Sequence, residues 1–248
     1  MEFMDGASGR KAANYFYTAK PDGLKIASAG NMIPGRILGL SGSNYDIDRF
    51  PYIGSTETGN PYVFFSRKAA HLDALDKVRN LRGLRVGAQS VGHSVYITGR
   101  NGELDTRTLG NIDSVRKDLR DQVHIHATIS NPKGRFDSRL PGLPDLDSFA
   151  KNDRERKVID LFRAFQVPRW PHHLAPGTPP ELVKILREAM ARTFKDVEFQ
   201  QEFRKFMGRE PSPLTGEEVQ KVVKDLPLDA DTIALYKIYA DGGVLPPR

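Results

Sequence analysis

The sequence predicts an α/β fold, because short apolar strands alternate with amphipathic helices along the chain. Three strand signals support this. A strand at 24–29 follows a Pro-Asp-Gly turn, a strongly apolar and aromatic strand spans 62–66, and residues 123–129 alternate with a period of two. Strands separated by helices favour a largely parallel sheet, which we therefore expect here.

The remaining elements follow from local patterns. A helix is expected to begin at 178. The pattern there is an N-cap at Thr178, a proline in the first turn at Pro179, and Glu181 as in a capping box. A further strand is predicted at 52–55. Apolar periodicity predicts helices at 10–17, 31–40, 72–80, 147–165, 178–194, 197–207, 215–224 and 229–239.

Composition excludes several classes of protein. The chain of 248 residues has 37 Lys and Arg against 31 Asp and Glu, a net charge of +6, but the basic residues are scattered among acidic ones. This pattern does not predict nucleic-acid binding. The absence of cysteine excludes disulfides, thiolate zinc sites and thiol catalysis.

The apolar runs and the first residues of the chain indicate where in the cell the protein is expected. No apolar run has the length needed to span a bilayer. The first residues lack the basic start and apolar stretch of a secretory signal, so the chain as given is expected in the cytoplasm, or as a mature or shortened form.

A small-residue loop at 88–94 is the best candidate for a ligand site. It follows a short strand and precedes a helical pattern, so its backbone N–H groups are expected to point toward an anion. Its candidate ligand residues are Ser90, Gly92, His93 and Ser94. The alternative is that Ser94 simply caps a helix and no ligand binds.

One signal favours an enzyme. Residues 88–92, Ala-Gln-Ser-Val-Gly, nearly match the Gly-x-Ser-x-Gly nucleophile elbow, and Asp145 with His172 or His173 follows in hydrolase order. The first position is Ala rather than Gly, and nothing in the sequence around Asp145, His172 or His173 supports their assignment as acid and base. A serine hydrolase that uses Ser90 therefore remains a weak alternative, and no catalytic residue is expected.

Two histidine pairs are candidate metal ligands. His124 and His126 share a strand face, and His172 and His173 are adjacent. No Asp, Glu or Cys stands beside them at a fitting spacing. Structural histidines are expected instead, with no metal and no cofactor.

Several segments, in this order along the chain, resemble the substrate-binding proteins of tripartite tricarboxylate transporters (the Bug/TctC-like family). The matching segments are 12–17 with the turn 21–23, then 81–96, 102–105, 140–156 and 174–199.

This resemblance implies a periplasmic-binding-protein type II-like fold with two α/β lobes and a ligand cleft. Lobe 1 would comprise 1–82 and 168–248, and lobe 2 would comprise 83–167. The ligand would be a small organic carboxylate, held by backbone amides and small polar side chains. The protein would be a periplasmic monomer that binds no nucleic acid and delivers its ligand to two membrane subunits of the transporter.

The resemblance also implies ligand residues outside the 88–94 loop. Ala7, Ser8 and Gly9 match a small-residue loop that faces the cleft in the family, and the alternative is a mere turn. Thr58 and Asn60 lie after a strand, near the expected crossing between lobes.

The sequence departs from the family pattern in three places, the first of which is the signal peptide with which members of the family normally begin. A first strand and a glycine-rich loop are missing ahead of 6–17, and between Arg100 and Gly102 the rest of a helix, a strand and a second ligand loop are missing. Each lobe is therefore expected to lack one strand, which gives incomplete sheets. The alternative function is a truncated relative that binds nothing and acts only as a structural or interaction remnant.

Overall fold

The computed structural model describes most of the chain, which divides by its internal contacts into two compact units. Unit 1 is Met1–Thr58 with Ala164–Pro227, and unit 2 is Gly59–Arg163 with Leu228–Arg248. The described residues are 2–29, 32–58, 61–74, 76–77, 105–108, 121–130, 134, 140–150, 152–168 and 170–240.

Helices and strands alternate along the described chain. The helices are α1 (Arg10–Tyr17), α2 (Met32–Ile37), α3 (Asp153–Gln166), α4 (Pro180–Lys195), α5 (Val197–Met207), α6 (Gly216–Lys224) and α7 (Ala230–Ala240). The strands are β1 (Ala27–Ser28), β2 (Tyr52–Ser55), β3 (Tyr62–Arg67), β4 (Asp105–Thr108), β5 (Val123–Ile129), β6 (Pro171–His173) and β7 (Leu214–Thr215). No helix in the described ranges has both the length and the apolar character to cross a membrane.

Unit 1 is built on a four-stranded sheet in the order β1-β6-β2-β7. The register of the β2–β6 pair shifts between Tyr52 and Gly54. Gly54 has a φ of 153°, and a Cβ there would lie 3.0 Å from Met190 and 3.2 Å from the carbonyl oxygen of Leu214. Glycine therefore lets α4 and β7 close onto the irregular strand.

An aromatic cluster forms the core of unit 1. The ring of His173, on the inner strand β6, lies 4.4 Å from that of Phe50, 5.4 Å from that of Phe16 and 6.2 Å from that of Tyr52, centroid to centroid. His173 is fully buried, and neither ring nitrogen has a hydrogen-bond partner. Burial lowers the pKa of His173 to about 3, so the ring is neutral at physiological pH.

Unit 2 is built on a three-stranded sheet in the order β4-β3-β5. One apolar cluster on it comprises Val63, Phe65, Val123 and Leu140. The strand predicted at 123–129 is confirmed, but its burial does not alternate, because every residue from His126 to the end of β5 is buried. Both faces of this strand are therefore covered.

The expectation of a largely parallel sheet was wrong for the described strands. Each pairing between them is antiparallel. The only parallel pairings among these residues are the isolated bridges Glu57–Ser212 and Thr128–Asp145. Local periodicity fixes which face of a strand is apolar but not its direction, since direction depends on how distant segments meet.

Two helix starts also differ from expectation. The helix predicted from 147 begins at Asp153 instead, because the Asp145 side chain accepts a hydrogen bond from Asp147 N and supports a separate 3-10 turn, Leu146–Phe149. Helix α4 begins at Pro180, and the Thr178 hydroxyl donates to the carbonyl oxygen of Ala175 rather than capping the helix.

The unit boundaries differ from the predicted lobes 1–82 with 168–248 and 83–167. Strand β3, which the prediction assigned to lobe 1, pairs with β4 and β5 and therefore lies in unit 2. Helix α7 also belongs to unit 2, and the chain passes between the units three times rather than two.

A buried ionic network holds α3 in unit 2. Arg163 Nε donates to the carbonyl oxygen of Ser130 at 2.7 Å, Nη1 to Asp160 at 2.6 Å, and Nη2 to Asp145 at 3.1 Å and Asp147 at 3.2 Å. Asp145 also accepts bonds from the backbone N–H and the hydroxyl of Ser130. The network therefore ties the end of β5 and the 3-10 turn to the helix.

We predict that Arg163→Met lowers the free energy of unfolding by about 3 kcal/mol, since it leaves the largely buried carboxylates of Asp145 and Asp147 without their cation. Urea unfolding followed by circular dichroism measures this. The matched control is Arg156→Met on the same helix, whose ion pair with Asp153 is exposed. Little or no change is expected there. Equal effects of the two substitutions would contradict the structural role of the network.

We also predict that His173 makes unit 1 sensitive to acid. Its pKa is about 3 in the folded state against the ordinary 6.5, so the unfolded state binds more protons between these values. Its contribution to stability is complete above 6.5 and is lost as the pH falls toward 3. Between about pH 7.5 and about pH 5 the loss amounts to roughly 2 kcal/mol.

His173→Phe removes this titration, and its urea midpoint is expected to fall less between the two pH values than that of the wild type. The control is His71→Asn, because His71 is exposed and Asn tolerates its left-handed φ of 54°. If His173→Phe and the wild type lose the same stability on acidification, His173 is not the responsible group.

Candidate functional site

The predicted ligand residues Ala7, Ser8 and Gly9 form a 3-10 turn directly ahead of α1. Its backbone is left-handed at Ala7, with a φ of 48°, and at Gly9, with a φ of 89°. The Gly9 N–H donates to the carbonyl oxygen of Gly6 at 3.1 Å. The turn is thus a defined structure rather than an irregular loop.

The start of α1 is not capped by a side chain. Gly9 is its N-cap and supplies no side-chain cap, and no acidic residue lies in the first turn. The Arg10 N–H donates to the carbonyl oxygen of Ala7. The N–H groups of the first turn have no side-chain cap, and the helix dipole adds positive potential at this end.

Side chains of α1 fix this turn to the segment 41–45. Arg10 Nε donates to the carbonyl oxygen of Ser41 at 3.2 Å. Asn14 Nδ2 donates to the carbonyl oxygen of Gly42 at 2.6 Å, and Asn14 Oδ1 accepts from the Asn44 N–H at 2.9 Å. On its inner side α1 buries Phe16 against His173. The helix is held from both sides, so the turn at its start has a fixed position within unit 1.

Thr58, another predicted ligand residue, is engaged within unit 1. Its N–H donates to Ser212 Oγ at 3.0 Å, and its hydroxyl donates to the carbonyl oxygen of Ser212 at 2.9 Å. The preceding residue, Glu57, is buried and forms an ion pair with Arg209. The end of the first segment of unit 1 is therefore held to the chain near Ser212.

The other predicted ligand residues, Asn60, Ser90, Gly92, His93 and Ser94, lie outside the described residues. Their role as ligands remains a prediction. Among the described members of the predicted site, Ala7 is exposed, and Gly9 and Thr58 are each partly exposed.

In the hydrolase alternative the acid would be Asp145 and the base His172 or His173. The Asp145 carboxylate accepts bonds from Ser130, from Asp147 N and from Arg163, so it is committed to the network in unit 2. His173 has no hydrogen-bond partner at either ring nitrogen.

His126 on β5 is hydrogen-bonded to a serine of β3. His126 Nε2 lies 2.7 Å from Ser66 Oγ, and that hydroxyl donates its proton to the carbonyl oxygen of Leu72 at 2.8 Å. Nε2 must then be the donor to Ser66, so His126 carries its proton on Nε2. Burial, with His124 nearby, lowers the pKa of His126. Within the described ranges no cluster of His, Asp or Glu is arranged to hold a metal ion.

Sequence reasoning missed Ser212 and Arg209 as partners of the predicted site segment. Ser212 lies 154 residues from Thr58 along the chain, and no local pattern connects the two. Its one visible signal was a Pro-Ser-Pro sequence, which stiffens the chain ahead of β7.

No family model and no curated protein matches the sequence. Solved structures do match. A TctC solute-binding protein from Polaromonas is 16% identical with a TM-score of 0.61, over 95% of this chain and 84% of that one. MatC from Rhodopseudomonas palustris, with bound malate, is 16% identical with a TM-score of 0.62, over 95% and 85%. A second protein from that organism, with adipate, is 19% identical with a TM-score of 0.60, over 95% and 83%.

At these identities the likeness shows the fold. It extends over nearly the whole chain and most of each neighbour, and it agrees with the resemblance found in the sequence. The α/β fold class predicted from the sequence is confirmed: the chain has the fold of TctC-type periplasmic solute-binding proteins.

Proposed function

We propose that this protein is a solute-binding receptor for a small organic carboxylate. The observation that carries the proposal is the shared fold, since two of the structures with that fold contain the dicarboxylates malate and adipate. The net charge of +6 is consistent with an anionic ligand.

The described part of the binding site would be the turn ahead of α1. Backbone N–H groups at an uncapped helix start favour a carboxylate through hydrogen bonds and through the helix dipole. Ala7 and Gly9 have left-handed φ values and little or no side chain, so a ligand would be able to approach the backbone of this turn closely. The proposed contact residues are Ala7, Ser8, Gly9, Thr58, Asn60, Ser90, Gly92, His93 and Ser94.

The finer parts of the proposal rest on the resemblance to the transporter family. In this role the protein would work in the periplasm as a monomer, with no cofactor and no catalysis. It would deliver its ligand to the membrane subunits of a tripartite tricarboxylate-type transporter.

One observation favours a second candidate, a relative that binds nothing. The N–H and the hydroxyl of Thr58, a predicted ligand contact, both donate hydrogen bonds to Ser212 within the protein. A remnant of the family with only a structural or interaction role would show the same fold. Ligand binding separates the two candidates.

We predict that malate or adipate at about 5 mM raises the melting temperature, because a ligand that binds only the native state stabilises it by mass action. At 100 times Kd the gain is about 2.7 kcal/mol, which corresponds to roughly 5–10 °C for a chain of this size. Differential scanning fluorimetry against a panel of dicarboxylates, tricarboxylates and aromatic carboxylates measures the shift.

The matched control for adipate is 1,6-hexanediol, which has the same carbon chain without the carboxylates, with sodium chloride added to equal ionic strength. A shift with the acids alone supports the receptor. The absence of any shift across the panel supports the non-binding relative. Labelling of Ser90 by a fluorophosphonate probe would instead support the hydrolase.

A further inference from the structure

Two arginines of unit 1 lie near the buried side chain of Tyr45. Arg10 is the first residue of α1 and directly follows the turn Ala7–Gly9, and Arg36 lies in the last turn of α2. The Tyr45 hydroxyl donates to the carbonyl oxygen of Met32 at 2.7 Å. Burial raises the pKa of Tyr45, whereas the charges of Arg10 and Arg36 both lower it, which places both guanidinium groups near the tyrosine.

Gly35 lets Arg10 pack against α2. A Cβ at this position would lie 3.0 Å from Cδ of Arg10 and 3.2 Å from the hydroxyl oxygen of Tyr45, so a larger residue would crowd both groups. Arg10 Nε donates to the carbonyl oxygen of Ser41 at 3.2 Å. The aliphatic part and the guanidinium of Arg10 are therefore both held in place before any ligand binds, which lowers the entropy cost of binding.

The two positive charges have no counter-ion among the described residues. Neither Arg10 nor Arg36 forms an ion pair with a described acidic residue, and no acidic residue lies in the first turn of α1 or of α2. No carboxylate contributes to the pKa of Tyr45, although Asp46 and Asp48 follow it in the sequence. Because Arg10 is partly buried, its charge is only partly solvated, and a bound anion would compensate it.

Both arginines keep N–H groups that the described residues do not use. Arg10 donates only through Nε, so the four N–H groups on its two Nη atoms make no hydrogen bond to the described chain. Arg36 makes no side-chain hydrogen bond to it. Arg10 is partly exposed and Arg36 is exposed, so an anion can reach both. Guanidinium groups bind carboxylates through paired N–H groups, so this pair of arginines has the charge and the donors for one carboxylate.

We propose that Arg10 and Arg36 bind the second carboxylate of a dicarboxylate ligand, and so make the receptor prefer diacids to monoacids. This inference rests on the proposed function, in which the backbone of the turn Ala7–Gly9 binds the first carboxylate. Because Arg10 directly follows that turn, one short ligand would reach both groups. A monocarboxylate would leave the arginines without an anion and would gain no affinity from them.

Isothermal titration calorimetry with adipate and with hexanoate tests the proposal, because the two acids have the same number of carbons and differ in one carboxylate. The wild type is expected to bind adipate about tenfold or more tightly than hexanoate. The double variant Arg10→Gln/Arg36→Gln is expected to weaken adipate binding about tenfold or more and to leave hexanoate binding within about twofold, since only the second carboxylate loses its partners. Retained hexanoate binding also shows that the variant has folded.

The matched control is Arg192→Gln/Arg204→Gln, which removes two positive charges from exposed side chains of α4 and α5 in the same unit. Its affinity for adipate is expected to stay within about twofold of that of the wild type. Equal weakening of adipate binding by the two double variants would show general attraction and overturn the proposal. Equal loss of adipate and hexanoate binding in Arg10→Gln/Arg36→Gln would also overturn it, in favour of a structural role.

A wild type that binds both acids equally well contradicts this proposal and leaves the receptor standing. A wild type that binds neither acid also contradicts it, and the panel of carboxylates then decides whether the receptor fails as well. Inorganic phosphate is a further probe. Phosphate binding that is lost in Arg10→Gln/Arg36→Gln would show a general oxyanion site and overturn the assignment to a dicarboxylate.

Discussion

The burial of a neutral histidine among aromatic rings is the constraint on which unit 1 depends. His173 lies on β6, between β1 and β2, with rings from α1, from Phe50 and from β2 around it. Any charge there would lie in an apolar core without a partner. Because Phe16 of α1 packs on this ring, the core also sets the position of α1 and of the turn Ala7–Gly9.

Unit 2 also buries an ionisable side chain, but there the side chain is charged and fully hydrogen-bonded. Arg163 is charged and almost fully buried, but each of its nitrogens donates to an oxygen from Ser130, Asp145, Asp147 or Asp160. A buried cation is tolerated when its donors are matched with acceptors. The same bonds hold the Asp145 carboxylate in a fixed position within unit 2.

Local chemistry made part of the fold predictable. The helix expected at 197–207 was confirmed to the residue, because Asp196 caps its start and Gly208 ends it in the left-handed conformation. Thr215 and Glu218 likewise form a complete capping box for α6. Strand direction was not predictable, since it depends on contacts between distant segments.

The candidate site was predictable only in part. The Ala7–Gly9 turn is where the sequence placed it, because glycines at positions 6 and 9 permit the left-handed backbone. The bonds from Thr58 to Ser212 join segments far apart in the sequence and carry no local signal.

The central claim is that this fold holds a small carboxylate, and isothermal titration calorimetry with malate and with adipate tests it most directly. We expect saturable binding at one site per chain, and its loss in Ser90→Pro, which distorts the loop at 88–94 while leaving the described core intact. Absence of heat at millimolar ligand would contradict the receptor. Unchanged affinity in Ser90→Pro would move the site away from that loop.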